Sequence, residues 1–483
     1  MKRLISLAAG LAAFLGLAAP ALAIHAEIPA ETSAIVAKGT TQITISGDLR
    51  VRGWLKKNIA GNGAIVDGQN QTYYDERVRL AVDASAGNVS GRIHLESNSG
   101  YADSFKWGTP PNIGPANDPV GTDFNAKPTA MGILEAWIQY NGTGLFGVPA
   151  GIKAGHMPLA LGPETLFFDH THFGDDAIVG WLDPTPQTHI TAVAIKAAEG
   201  DAGVTGPSNS SDLDVYVAAL NQVLAAQNLQ AYYVYANGPE AATKINVPAN
   251  GNIQFGPNIK LQDLGLNAAG KFSGLSYAFE YDQQFGSALA GGTNLTTNRG
   301  AKGDFKGYAL ELDLGYNFGL ANVRLAGVYG SGPKVNSNNV DAFVNFRMDD
   351  PYHTVVYGYQ AANAMGQVNG QGVFGQWSNT EMLNLGVDLN PVADLKVVLD
   401  AYLLKATETS AFAAALGHGV SSNIGTEYDM VANYALAKNL NYFVKAGALV
   451  AGNFYNDTAG LAGFNGGAKK TAVVAMHGLE FAF

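Results

Sequence analysis

The chain contains no cysteine, and only 14% of its 483 residues are charged, against about 25% in an ordinary globular domain. The first absence excludes disulfides, thiolate metal sites, thiol nucleophiles and a lipidated cysteine anchor. Positive charge is also scarce: 29 Lys and Arg stand against 40 Asp and Glu, a net charge of −11. That balance argues against a nucleic-acid partner, whose phosphates require a basic footprint. Catalytic signatures are missing too, with no nucleophile elbow, zinc-protease helix motif or phosphate loop. Long apolar runs are absent beyond the first residues, so no membrane helix is expected after them.

Lys2 and Arg3 precede an apolar run from Leu4 to Leu17, and Ala21-Leu22-Ala23 follows. A basic start, a short apolar centre and an A-x-A site read as a secretory signal peptide spanning residues 1–23. Residues 24–40 follow as a periplasmic N-terminal segment, with a short helix expected over Ile28 to Lys38, and residues 41–483 form the main body.

Along that body the pattern repeats every two residues. Tyr308, Leu310, Leu312, Leu314, Tyr316 and Phe318 interleave with Ala309, Glu311, Asp313, Gly315 and Asn317. Leu275, Tyr277, Phe279 and Tyr281 alternate likewise with Ser276, Ala278, Glu280 and Asp282. Each strand thus has one greasy face and one polar face. Such segments fall near 41–54, 72–85, 89–97, 132–140, 150–160, 174–182, 189–198, 211–221, 228–237, 258–272, 275–286, 305–318, 321–330, 379–389, 394–405, 424–436, 439–452 and 470–483. Connections alternate between tight turns, such as Ser273-Gly274, and long Gly-, Asn- and Pro-rich stretches such as 98–131, 238–257 and 331–378. A soluble sandwich has no reason to gather its long loops at one end. The pattern predicts an all-β fold, a transmembrane antiparallel β-barrel of about 18 strands with short periplasmic turns and long extracellular loops. An even count puts both termini in the periplasm. The last strand ends on Phe483, with Leu479 and Phe481 on one face, a pattern that resembles the signal read by the barrel-assembly machinery of outer membranes.

If the apolar faces meet outer-membrane lipid, the polar faces line a lumen, and about 16 to 18 strands leave an aqueous channel. Five of the nine arginines, Arg50, Arg52, Arg77, Arg79 and Arg92, fall on the first three strands at inward parity. Asp48, Asp75, Asp83 and Glu96 share that parity and offer local neutralisation. About half a circumference away Asp263, Glu280, Asp282, Glu311 and Asp313 point inward, and Asp388, Asp400, Glu427 and Asp429 follow on later strands. A basic wall opposite an acidic one would set up a transverse field across the pore. The alternative is a set of wall networks without effect on transport.

The connection after the fifth strand is unusually apolar, and residues 161–175 are expected to fold inward as a constriction loop. In that arrangement Phe167, Phe168 and Phe173 anchor it to the wall, while Asp169, His170, His172 and Asp175 face the pore. The other reading is an aromatic-packed extracellular loop. Asp169-His170-Thr171-His172 lacks a third and fourth ligand at recognisable spacing, so no metal site is assigned, and no cofactor is implied.

Gly425-Thr426-Glu427-Tyr428-Asp429 with Asn433-Tyr434, then Asn439-Leu440-Asn441-Tyr442 and Ala446-Gly447, resembles the end of alginate-export-like outer-membrane porins. The strand Asp75-Glu76-Arg77-Val78-Arg79-Leu80 is similar to their early strands. The resemblance implies an 18-stranded barrel and, for some members, export of an acidic polysaccharide through a strongly basic pore. Here the lumen is mixed and the protein acidic. The expectation is therefore a non-enzymatic porin of a Gram-negative-type outer membrane, passing small hydrophilic solutes or ions passively. The alternatives are an anionic-polysaccharide exporter, or a barrel sheath around a cytochrome partner in electron transfer. The sequence leaves homo-oligomerisation open.

Overall fold

The computed structural model describes residues 34–38, 41–59, 65–97, 105–107, 131–163, 166–198, 213–238, 254–255, 259–291, 302–335, 337, 339–345, 354–358, 377–459 and 470–483; the expected signal peptide lies outside them. Eighteen long strands are present among the described residues. They are β1 Thr41–Ile59, β2 Ile65–Ala86, β3 Val89–Ser97, β4 Met131–Thr143, β5 Pro149–Ala160, β6 Asp169–Thr185, β7 Thr188–Ala198, β8 Leu213–Leu224, β9 Gln227–Gly238, β10 Ile259–Phe272, β11 Leu275–Gly291, β12 Tyr308–Asn317, β13 Ala321–Gly330, β14 Thr380–Val392, β15 Leu395–Ala406, β16 Asn423–Ala437, β17 Leu440–Ala451 and β18 Thr471–Ala482. Each pairs antiparallel with the next. The cylinder closes where β1 pairs with β18, from Asp48↔Ala482 to Lys57↔Val473. Closure leaves no open sheet edge for lipid to meet, which a membrane strand cannot tolerate. At the seam the Phe483 amide donates to the Gly47 carbonyl at 2.9 Å, and the Gly47 amide donates back at 2.8 Å.

The alternation read from the sequence sets the two faces. Ile152, Ile178, Leu220, Leu264, Leu312, Leu385 and Leu403 are exposed on the outer wall, as expected of side chains solvated by acyl chains. Aromatic residues stand at both ends of this band, including Tyr216, Phe285 and Tyr308 at one end and Phe272, Tyr316, Phe318, Tyr442 and Phe481 at the other. On β11 the greasy row runs from Leu275 to Phe285. At ~3.3 Å per residue and a tilt of about 40° it spans on the order of 25 Å, the height of an outer-membrane apolar band.

Tight turns such as Thr185–Thr188, Gln227 after Leu224, and Leu275 after Phe272 lie at one end of the barrel, where β1 begins at Thr41 and β18 ends at Ala482. The connections at the opposite end are mostly longer, and two carry short helices, α1 Ser410–Leu416 and α2 Asn453–Asp457. Two local expectations are corrected. Residues Ala34–Lys38 are a strand, not a helix, paired with Thr41 to Ile45. The run Ala-Ile-Val-Ala-Lys is rich in strand formers, and it occupies the edge of β1 that β18 leaves open below Asp48. Strand β6 begins at Asp169, so part of the segment read as a loop belongs to the wall. A large bulge separates the pairs Met157↔Asp175 and Leu159↔His170.

The hydrophobic core lies inside the cylinder. Leu166, Phe167, Phe168, Phe343, Val344, Val356, Tyr357, Phe412 and Phe454 come from the long-connection end and pack against inner-wall residues such as Val215, Val234, Leu261, Tyr402 and Leu449. Full burial of a Phe side chain contributes roughly 1.5–3 kcal/mol, enough for a handful of such anchors to hold loop backbone within the barrel. Residues 341–345 form no strand.

Candidate transport site inside the barrel

The arginine-bearing wall is a ladder of ion pairs, built by strand register. Arg52 lies directly opposite Asp75 on β2, and its Nε and Nη2 donate to that carboxylate at 2.8 and 3.0 Å. The Trp54 indole N–H donates to the same group at 2.8 Å, and the Arg52 guanidinium also lies 5.0 Å from the Trp54 ring centroid. One step along, Arg50 faces Arg77, a like-charge pair in register. Long side chains can reach the diagonal neighbour, and Arg77 does so, donating to Asp48 at 2.7 Å and to Glu480 on β18 at 3.0 Å. Arg79 is in register with Glu96 and bonded to it. Arg92 bridges Asp83 at 3.2 Å and Glu135 at 3.0 Å. Glu135 also accepts from Trp137 Nε1 at 2.9 Å and contacts His94 Nδ1 at 3.0 Å, and the Lys153 ammonium lies 4.0 Å from the Trp137 ring centroid.

The offset on this wall is therefore local. Arg52, Arg77 and Arg79 are buried, and a guanidinium removed from water needs a hydrogen-bonded carboxylate beside it. The basic half of the expected field is largely cancelled where it arises.

The opposite wall is different. Glu280 lies in register with Glu311, and Asp263, Glu280, Asp282 and Glu311 are all fully buried. Tyr232, Gly265 and Asp282 form one cross-strand row. A Cβ on Gly265 would sit 2.0 Å from the Tyr232 ring, so its absence lets the phenol lie flat across β10 and donate to Asp282 at 2.5 Å. The same device recurs on β13 to β15. Arg324 crosses Gly386 to reach Asp400 at 2.8 Å, while also contacting Asp388 at 2.9 Å.

Wall polar groups also hold backbone that enters from the long-connection end. Glu280 accepts from the Leu166 amide at 3.2 Å. Gln284 accepts from the Val344 amide at 2.9 Å and donates to its carbonyl at 2.6 Å. Glu427 accepts from the amides of Val356 and Tyr357 at 2.5 and 2.9 Å, and Asp429 from that of Val355 at 2.8 Å. These side chains act as receptors for inserted loops. Residues 166–168 lie inside the barrel, with Phe167 and Phe168 buried and the Phe167 ring 6.4 Å from that of Phe343. Asp169, His170 and Asp175 are buried, and His170 Nδ1 lies 3.0 Å from Asp175. His172 and Phe173 lie on β6, their side chains outside the described residues.

Water reaches the lumen toward the tight-turn end, where Asp83, Arg92, Arg324 and Glu480 remain partly exposed. Sequence reading passed over Trp54, Glu135, Trp137, Lys153, Arg324, Glu480 and the 354–357 insertion. Inward parity alone could have found Arg324. Glu135 was hidden because the register shift between His94 and Leu95 breaks the alternation on β4.

An 18-stranded closed barrel with a lipid-matched exterior, a charged lumen and inserted loops defines an outer-membrane barrel of porin type. The chain belongs to the alginate export family, whose model matches residues 120–467. No curated protein matches it. Among solved structures it is similar to OccAB2 of Acinetobacter baumannii, at 10% identity and a TM-score of 0.51, covering 91% of this chain and 98% of that one. The same coverages and identity, with a TM-score of 0.50, hold for a BenF-like porin from Pseudomonas fluorescens Pf-5 and for Pseudomonas aeruginosa OpdK with vanillate. At that identity the likeness is one of fold.

Proposed function

We propose that the protein is a passive channel of the outer membrane for small hydrophilic solutes or ions, with its tight turns and both termini in the periplasm and no covalent step in its action. The observation that carries this reading is the lumen itself. Ionised groups line it toward the tight-turn end, with Asp83, Arg92, Arg324 and Glu480 open to water, while inserted backbone held by Glu280, Gln284, Glu427 and Asp429 narrows the other end. Selection then follows from size and from the polar groups left accessible at the constriction. In this reading Arg50, Arg52, Arg77, Arg79 and Arg92, with Glu280, Asp282, Glu311, Asp313, Glu427 and Asp429, shape the lumen, and Phe167 and Phe168 anchor its narrow level. Phe483 serves as the handle for the barrel-assembly machinery.

An exporter of a polyanion needs a continuous unpaired basic path, which paired Arg52, Arg77, Arg79 and Arg92 do not offer. A cytochrome sheath needs an open bore, and Phe167, Phe168, Phe343 and Tyr357 occupy it. Liposome swelling with the purified barrel tests the proposal. Sugars and amino acids of a few hundred daltons should enter, and a polyuronate should not. Entry of the polymer, or exclusion of every small solute, would overturn it.

A further inference from the structure

The outer wall carries a site that the channel does not use. At the long-connection end, Lys196, Asp214, Asn237, Lys260, Ser287 and Asp304 form one continuous cross-strand row. Two residues closer to the middle of the barrel, the next row reads Tyr216, Tyr235, Gln262 and Phe285. Polar and charged side chains directly above aromatic ones, about 6.6 Å apart along the strands, mark the level where acyl chains give way to headgroups.

At that level the wall is hollowed. A cavity of about 620 Å³ is lined by Lys260, Gln262, Phe285, Ser287, Asp304 and Lys306, among others. Its shape follows from Gly286, at φ +98°, where a Cβ would lie 1.8 Å from the Lys260 carbonyl oxygen. Only glycine permits that close approach. The Phe305 amide donates to the Gly286 carbonyl at 2.9 Å, bringing Lys306 to the cavity. Lys196, on the same row, is neutralised by Asp214 at 3.0 Å. Lys260 and Lys306 form no ion pair among the described residues, although both are exposed.

We propose that this cavity binds the phosphorylated sugar headgroup of an outer-leaflet glycolipid. The Lys260 and Lys306 ammoniums take the phosphate, the Gln262 amide N–H and the Ser287 hydroxyl bond the sugar, and Phe285 lies against the first acyl carbons. Two lysines against the single carboxylate of Asp304 leave the described lining of the cavity with a net positive charge, which at a membrane surface favours an anionic headgroup, and the amide and hydroxyl groups between them suit a sugar. The proposal rests on the orientation given above, which places this end in the outer leaflet.

Native mass spectrometry of the full-length barrel in detergent, with diphosphorylated lipid A as the probe, tests it. Lipid A should remain bound to the wild type and to Lys196→Gln, and retention should fall at least tenfold in the Lys260→Gln, Lys306→Gln double variant, with each single variant between. Equal retention by the double variant, or equal retention of dephosphorylated lipid A, would overturn the proposal. Conductance of the same double variant keeps the two readings apart. Both lysines lie on the outer wall, so a barrel that conducts normally but has lost lipid A supports both readings. A wild-type barrel that binds lipid A and never conducts refutes only the channel.

Discussion

Replacing Asp75 with alanine probes the logic of the arginine-bearing wall at a buried ion pair. This carboxylate accepts hydrogen bonds from Arg52 Nε, Arg52 Nη2 and Trp54 Nε1 at 2.8, 3.0 and 2.8 Å, and Arg52 and Trp54 are only 8% and 4% exposed. Removing it leaves a guanidinium and an indole N–H without that acceptor in a space closed to bulk water. Breaking a buried pair by deleting one partner costs about 3–5 kcal/mol, whereas replacing both partners with apolar residues is often close to neutral. The Asp75→Ala variant should therefore lose ~3–5 kcal/mol, and Arg52→Met combined with Asp75→Leu should recover most of it. Urea unfolding of the barrel in lipid vesicles, followed by tryptophan fluorescence, measures both. A double-mutant cycle should give a coupling of at least ~2 kcal/mol. A loss below ~1 kcal/mol for Asp75→Ala, or strictly additive effects, would refute the claim that local pairing stabilises this wall.

Two further outcomes follow from the geometry. Replacing both Glu427 and Asp429 with alanine removes the acceptors for three inserted amides; since each buried donor left unmet costs ~1–3 kcal/mol, residues 354–358 should leave the lumen, raising single-channel conductance and exposing Tyr357 to protease, whereas unchanged conductance and protection would show that packing alone holds the segment. Because the chain has no cysteine, Lys334→Cys at the long-connection end and Asn88→Cys at a tight turn each provide a single label site. A membrane-impermeant maleimide on intact cells should modify only the first, and the reverse pattern would invert the orientation.

The wall of the barrel was legible in the sequence because its rule is local. A strand with lipid on one face and a lumen on the other must alternate, so Tyr308 to Phe318 and Leu275 to Asp282 declared their faces without knowledge of any partner. The apolar run at Leu166, Phe167 and Phe168 likewise announced a segment unsuited to water, and these three residues lie inside the barrel. What remained hidden depends on register. Arg50, Arg52, Arg77 and Arg79 look like a basic cluster in one dimension, and only the offset between β1, β2 and β18 shows that Arg52 faces Asp75 and that Arg77 reaches both Asp48 and Glu480. Bulges hide more, since the register shifts at His94 and at Met157 move Glu135 and Asp169 off the parity their strands suggest. The docking of Val355 to Tyr357 on Glu427 and Asp429 uses backbone amides, which carry no signature in side-chain identity.

The barrel should conduct despite its inserted loops. Planar-bilayer recording of the purified, refolded full-length protein tests it most directly. Discrete, ohmic single-channel steps should appear in potassium chloride, scale with salt concentration and grow when Glu427 and Asp429 are replaced. No conductance in any salt, for the wild type and for that double variant alike, would show that the barrel is not a channel.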